Sequence, residues 1–372
     1  MAMRRRGATN RVATAVIWCS MAASGVSAAD LDGAKRIALR SSGVCQTGMV
    51  ATKNVPMADN PRAHLRVDDS IDDLLRHPAF AGFARLLLPW DDRRYDTTMA
   101  LRNVGSLLPY HSHVDPGVVV SSLNRMIDDA SVGRTVFYDI YTDAQKQAEP
   151  ARKNTGLFFI RGQPGAPFAI VAPGGGFAYV GSLHEGFPYA VEISKRGYNA
   201  FVLKYRVGHG GSIATEDLAA ALSYVFRNAT SLGVAAVDYS LWGSSAGARM
   251  AAAIGSYGAA RFGGSTLFKP SALVLLYTGH SDLASAEPPT FVAVGDTDSI
   301  APPATMERRV AALRRQGTDV EYRKYPRVGH GFGLGVGTSA EGWIADAVRF
   351  WTKQTQQRAD AHRAIAPVGE QK

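Results

Sequence analysis

Gly243-Ser244-Ser245-Ala246-Gly247 has the residue types of a G-x-S-x-G turn, which can present a serine hydroxyl as a nucleophile. It follows an apolar run at 239–242 and opens an Ala-rich stretch, so the expected setting is strand, sharp turn, helix. Glycines on both sides let the chain turn without Cβ clashes, and the turn raises Ser245 above the carboxyl ends of the strands. The Ala246 amide then lies at a helix N-terminus, where the dipole favours a developing anion. A tight Gly/Ser turn without chemistry has the same five letters, so the reading requires partners elsewhere in the chain.

A serine hydroxyl is a weak nucleophile until a base takes its proton. Of nine histidines, His280, His330 and His362 follow Ser245. His330 stands in Val328-Gly329-His330-Gly331-Phe332, a glycine-flanked loop after the last strand-like run, from which an imidazole reaches a serine at the sheet top. An acid must hold the imidazole tautomer. Gly295-Asp296-Thr297-Asp298 offers two, and Asp298, beyond the turn, is the one placed to reach over the sheet edge; Asp296 is expected to stabilise the turn. Ala172-Pro173-Gly174-Gly175-Gly176-Phe177 adds a loop whose backbone N–H groups can approach a substrate oxygen unobstructed. No GK[ST] follows it and it forms no GxGxxG, which argues against a nucleotide site.

The elements that must hold these residues alternate from Thr135 onward. Strand-like runs occur at 135–141, 156–161, 168–172, 199–205, 239–242, 272–277, 290–295 and 319–324, the middle ones continuously apolar, as in strands buried on both faces. Between them, Leu218, Leu222, Val225, Phe226 and Ala229 share a helix face that ends near Gly233. Met306, Val310 and Leu313 mark another helix, closed by Arg314, Arg315 and Gly317, and Trp343, Ala347, Phe350 and Trp351 a last one. The pattern implies an α/β fold with a mostly parallel eight-stranded sheet flanked by helices. Residues 29–134 read instead as a mostly helical extension. Asp115-Pro116 starts one helix there, with Val119, Leu123, Met126 and Ile127 on one face and Gly133 after it; Ile71, Leu74 and Leu75 mark another stripe. The catalytic domain is then 135–356, with a fraying polar tail from about Thr352 that makes up 357–372.

The formal charge is +9, but Arg4, Arg5, Arg6 and Arg11 precede the apolar stretch 12–26 and the small residues Ser27-Ala28. That is the pattern of a secretory leader over 1–28, and its removal leaves 37 − 32 = +5. No basic run with interleaved aromatics remains, so a nucleic-acid partner is not expected. No apolar run of 18 residues occurs, so membrane insertion is not expected after cleavage, and the product belongs in the periplasm or outside the cell. Of two cysteines, Cys19 lies in the leader, leaving Cys45 alone and excluding an internal disulfide. There is no Cys/His cluster with zinc spacing and no HExxH, so no metal and no cofactor are implied.

The chain order Ser245, Asp298, His330 is that of the α/β-hydrolases. With the glycine loop after the third strand-like run, Ser245 after the fifth, Asp298 after the seventh and His330 after the eighth, residues 135–355 resemble that superfamily. Pro-Gly-Gly-Gly-aromatic, the stretch 181–190 and Tyr205-Arg206-Val207 are similar to its secreted acetyl, acetylxylan and feruloyl esterases. The resemblance implies a serine esterase for short acyl, foremost acetyl, esters, carbohydrate esters included, with oxyanion donation from Gly175, Gly176 and Ala246. Phe177, Tyr179 and His280 are the candidate substrate-pocket residues; His184 and Glu185 follow the glycine loop, so either can line the pocket, but Glu185 is rather expected to be a paired carboxylate that shapes the loop. The partner implied is a small-molecule or oligosaccharide ester; nothing in the spacing sets an oligomeric state. A prolyl-oligopeptidase-type peptidase uses the same three residues but brings a large N-terminal domain, for which 29–134 is short. A binding protein on this scaffold would have no need of all three.

Overall fold

A computed structural model describes residues 64–365; the expected leader 1–28, Cys45, the start of the expected extension and the end of the tail lie outside the described residues. Eight strands form one sheet: β1 (Phe137–Tyr138), β2 (Gly156–Ile160), β3 (Phe168–Ala172), β4 (Asn199–Lys204), β5 (Ser240–Ser244), β6 (Ala272–Leu276), β7 (Thr290–Gly295) and β8 (Val320–Tyr325). Their order is β1-β2-β4-β3-β5-β6-β7-β8. β2 runs antiparallel to both β1 and β4, and every pairing from β4 to β8 is parallel. β2 to β7 are buried along their whole length, the consequence of uniformly apolar segments sandwiched between helices. β1 covers only two residues of the expected 135–141, because it is an edge strand with a single partner and Thr142 soon caps the next helix.

The helices are α1 (Ile71–Arg76), α2 (Pro116–Ser131), α3 (Asp143–Ala148), α4 (Phe187–Lys195), α5 (Ser212–Arg227), α6 (Ala229–Leu232), α7 (Ala246–Tyr257), α8 (Pro303–Arg315) and α9 (Trp343–Ile365). Asp115 caps α2, accepting from the amides of Gly117 and Val118, with Pro116 at the first turn. Helix α9 continues well past Thr352, contrary to the expected fraying. Side chains on its polar side are tied down: Lys353 and Gln354 bond Asp319, and Arg358 reaches the carbonyl of Pro270.

The sheet separates two apolar cores. One holds α5, α7 and the faces of β3 to β6 that carry Ile170, Leu203, Leu241 and Leu273. The other is shared by α4, α9 and residues 65–127, with Ile71, Leu74, Phe80, Leu123 and Met126 packed in the same cluster as Phe158, Trp242 and Trp343. Phe83 stacks on Phe137 of the edge strand at 4.8 Å. Each such fully buried side chain contributes roughly 1.5–3 kcal/mol, so the segment before β1 is integral to this side of the sheet. Among the described residues no helix is long and apolar enough to cross a membrane.

Candidate active site

β5 ends at Ser244 and α7 begins at Ala246, leaving Ser245 alone at the turn with φ 49° and ψ −114°. A serine in that region is strained; it is held because its amide bonds the carbonyl of Leu276 on β6 at 2.9 Å. The turn also requires Gly247, since a Cβ there would lie 1.9 Å from the carbonyl oxygen of Ala172. Helix α7 can therefore start directly against the end of β3, where the glycine loop begins.

His330 Nε2 lies 2.9 Å from Ser245 Oγ, and His330 Nδ1 lies 2.8 Å from Asp298 Oδ2. Asp298 is fixed by its other oxygen, Oδ1, which accepts from the amides of Ile300 and Ala301. Asp296 is exposed, and its Oδ1 accepts from the Arg327 amide, so it braces the turn rather than the imidazole. The three residues 245, 298 and 330 thus form one hydrogen-bonded chain from a buried carboxylate to a half-buried hydroxyl. Such a chain can move a proton off the serine and stabilise the resulting imidazolium.

The loop after β3 packs on this chain. The Cβ that Gly174 lacks would lie 3.0 Å from Ser245 Cβ and 2.7 Å from Glu185 Oε2. The Gly174 amide donates to Glu185 Oε2 at 2.6 Å, and the Tyr205 hydroxyl donates to the carbonyl of Pro173. Among the described residues no protein acceptor takes the amides of Gly175, Gly176 or Ala246.

Glu185 sits in an i→i+5 turn, Ser182–Gly186, that aims both it and His184 inward. Its Oε1 accepts from the Tyr277 hydroxyl at 2.7 Å and faces His111 Nε2 at 3.1 Å. Burial would raise this carboxyl; His111, together with the Tyr277 bond and His184, outweighs it and holds the pKa at about 2. His184, whose Nε2 lies 3.0 Å from the carbonyl of Gly331, is pushed down to about 4 by burial and then by His111. Both shifts have one sign for stability. The His184 contribution is complete above the unfolded value of 6.5 and lost as the pH falls towards 4; that of Glu185 is complete above 4.5 and lost towards 2. Thermal unfolding followed between pH 7 and pH 4 should show a falling midpoint, and a midpoint that holds or rises would contradict these buried states.

Of the expected pocket residues, Tyr179 needs correction: it is fully buried. Its hydroxyl accepts from the Tyr110 amide and lies 2.8 Å from His111 Nδ1, with the ring between Trp90 and Tyr110, so it cannot touch substrate. Phe177 is half-buried at φ 59°, its ring over Gly211. His280 is buried on the loop after β6, its Nε2 bonded to no group among the described residues, and burial and then Arg309 lower its pKa to about 4. The residues that sequence reasoning missed are Tyr110, His111 and Ser112, which lie in a loop without periodicity. Ser112 Oγ donates to the carbonyl of His330 at 2.7 Å, and its amide bonds Gly331.

Residues 269–358, which include Asp298 and His330, match the prolyl oligopeptidase family. The chain is similar to an acetylxylan esterase of Xylanibacter ruminicola, 22% identical over 241 residues, 57% of this chain and 50% of that protein. It therefore spans about half the length of that curated relative. Among solved structures it is similar to an acetyl ester-xyloside bifunctional hydrolase from Caldicellulosiruptor lactoaceticus (23% identity, TM-score 0.44, 57% of this chain and 89% of that one). A carboxylesterase from Lactobacillus plantarum is similar too (20% identity, TM-score 0.48, 54% and 92%). The sheet order with its antiparallel second strand, and a strained serine on the turn leaving the fifth strand, are those of the α/β-hydrolase fold, and the chain is similar in sequence to an acetylxylan esterase.

Proposed function

We propose that the protein is a serine carboxylic-ester hydrolase for short acyl esters, foremost acetyl esters and those of carbohydrates among them. The observation that carries this is the hydrogen-bonded chain Asp298–His330–Ser245 on a strained turn beside a glycine loop with untaken amides. Ser245 Oγ attacks the ester carbonyl carbon while His330 Nε2 takes its proton, and Asp298 stabilises the imidazolium. The amides of Ala246, Gly175 and Gly176 receive the oxyanion; losing one such donor costs on the order of 10²–10³ in turnover. The C–O bond to the alcohol breaks as His330 returns the proton to it. Water, deprotonated by His330, then attacks the acyl-Ser245 carbonyl, and the carboxylic acid leaves with the serine restored.

The likeness to an acetylxylan esterase supports the acetyl and carbohydrate side of the reading. The leader pattern supports an exported enzyme, and residues 110–112 brace one side of the site. The match to the prolyl oligopeptidase family over residues 269–358 favours a second reading, amide cleavage next to proline. A fluorophosphonate probe should label the wild type at Ser245. Rates on p-nitrophenyl esters from acetate to octanoate, acetylated xylo-oligosaccharides, feruloyl sugars and proline amides should peak at acetyl esters. Absence of label would sink serine chemistry, and faster turnover of the amides would install the peptidase reading instead.

A further inference from the structure

We propose that His111 is a positioning residue for this reaction: through Glu185 it sets where the glycine loop stands relative to Ser245. The inference rests on the esterase reading above. Glu185 is 0% exposed and the His111 side chain 2%. A carboxylate so deeply buried is costly unless paired and fully bonded. Its partners are the Gly174 amide, the Tyr277 hydroxyl and His111 Nε2, with His184 also close enough to act on it electrostatically. Of the groups bonded to it, His111 alone can carry a positive charge.

The two carboxylate oxygens divide the work. Oε2 holds the Gly174 amide, next to the two glycines whose amides are left for an oxyanion. Oε1 is held by His111 and Tyr277. His111 is oriented in turn by the Tyr179 hydroxyl at its Nδ1, and its neighbour Ser112 grips the backbone of His330 and Gly331. Residues 110–112 therefore join the glycine loop to the histidine loop, and the two halves of the reacting centre share one strap. A shift of about 1 Å in such a centre costs on the order of 10²-fold in rate. The amides so positioned act on the charge that develops in the transition state, so the loss belongs in kcat.

The test uses the full-length chain, with kcat counted per fluorophosphonate-titrated serine so that unfolded material does not enter. His111→Gln keeps a donor near Glu185 but not the imidazole ring that bridges Glu185 and the Tyr179 hydroxyl. It should lower kcat on p-nitrophenyl acetate about 10- to 100-fold with KM unchanged. Adding Glu185→Gln to it should cost less than the product of the two single losses, because the neutral pair no longer leaves a buried charge unmatched. Tyr179→Phe keeps the ring and deletes the hydroxyl that orients His111 and accepts from the Tyr110 amide; it should lower kcat about fivefold, on the scale of one ordinary hydrogen bond, again at constant KM. It also decides the matter if His111→Gln fails to fold. Wild-type kcat in either folded variant, or losses that appear in KM, would overturn the positioning role. A wild type that neither turns over esters nor takes the probe overturns the esterase reading itself.

Discussion

Ser245→Ala should lower kcat on p-nitrophenyl acetate by on the order of 10⁶, the scale seen when one member of a nucleophile–base unit is removed. The structure explains why so much depends on one oxygen. Ser245 Oγ is the atom His330 Nε2 faces, and among the described residues no other hydroxyl is bonded to that nitrogen. Ser244, its neighbour, is buried and its Oγ points to the Tyr189 hydroxyl at 3.4 Å, so it cannot substitute. The fold should survive, because what holds the turn is backbone: the Ser245 amide on Leu276 and the close approach of Gly247 to Ala172. Alanine keeps the Cβ that φ 49° already accommodates, so the unfolding midpoint should stay near that of the wild type. The decisive pair of measurements is turnover and fluorophosphonate labelling. Rates within tenfold of wild type, or labelling that persists at another residue, would remove Ser245 from the mechanism.

Much of the fold can be read from residue patterns, and the reasons are local. β3, β5, β6 and β7 are continuous apolar runs because both faces are covered, and each begins and ends within two residues of its expected run. β8, with a half-exposed face, was visible through its position after the helix closed by Gly317. Ser245, Asp298 and His330 could be singled out because each follows a strand on a glycine-marked turn, and the structure brings them within hydrogen-bond distance. What escaped reading depends on contacts far apart in sequence. His111 meets Tyr179 68 positions away and Ser112 meets His330 218 positions away, in a stretch with no period to betray it. Tyr179 follows a glycine loop, which suggests exposure, yet Trp90 and Tyr110 cover its ring. Helix α9 runs on through polar residues because Asp319 and the carbonyl of Pro270 supply partners that no periodicity reveals.

Asp298→Asn tests the proton path more finely than removal of the nucleophile, since it changes one atom and leaves the shape alone. Asp298 Oδ1 accepts two backbone amides, from Ile300 at 2.9 Å and Ala301 at 2.8 Å. In the variant the carboxamide oxygen must keep that place, because an NH₂ group has nothing to offer two N–H donors. The NH₂ group is thereby turned towards His330 Nδ1, which must accept instead of donate. The imidazole proton moves to Nε2, the nitrogen that faces Ser245 Oγ, and that nitrogen can no longer take the serine proton. The expected result is a fall in kcat by on the order of 10⁴ at neutral pH, with KM and the unfolding midpoint little changed. Asp296→Asn is the matched control: its carboxylate is exposed and among the described residues bonds only the Arg327 amide, so turnover should stay close to wild type. If Asp296→Asn proved the more damaging of the two, the acid would have to be reassigned, and the geometry of the Asp298 turn would need another purpose.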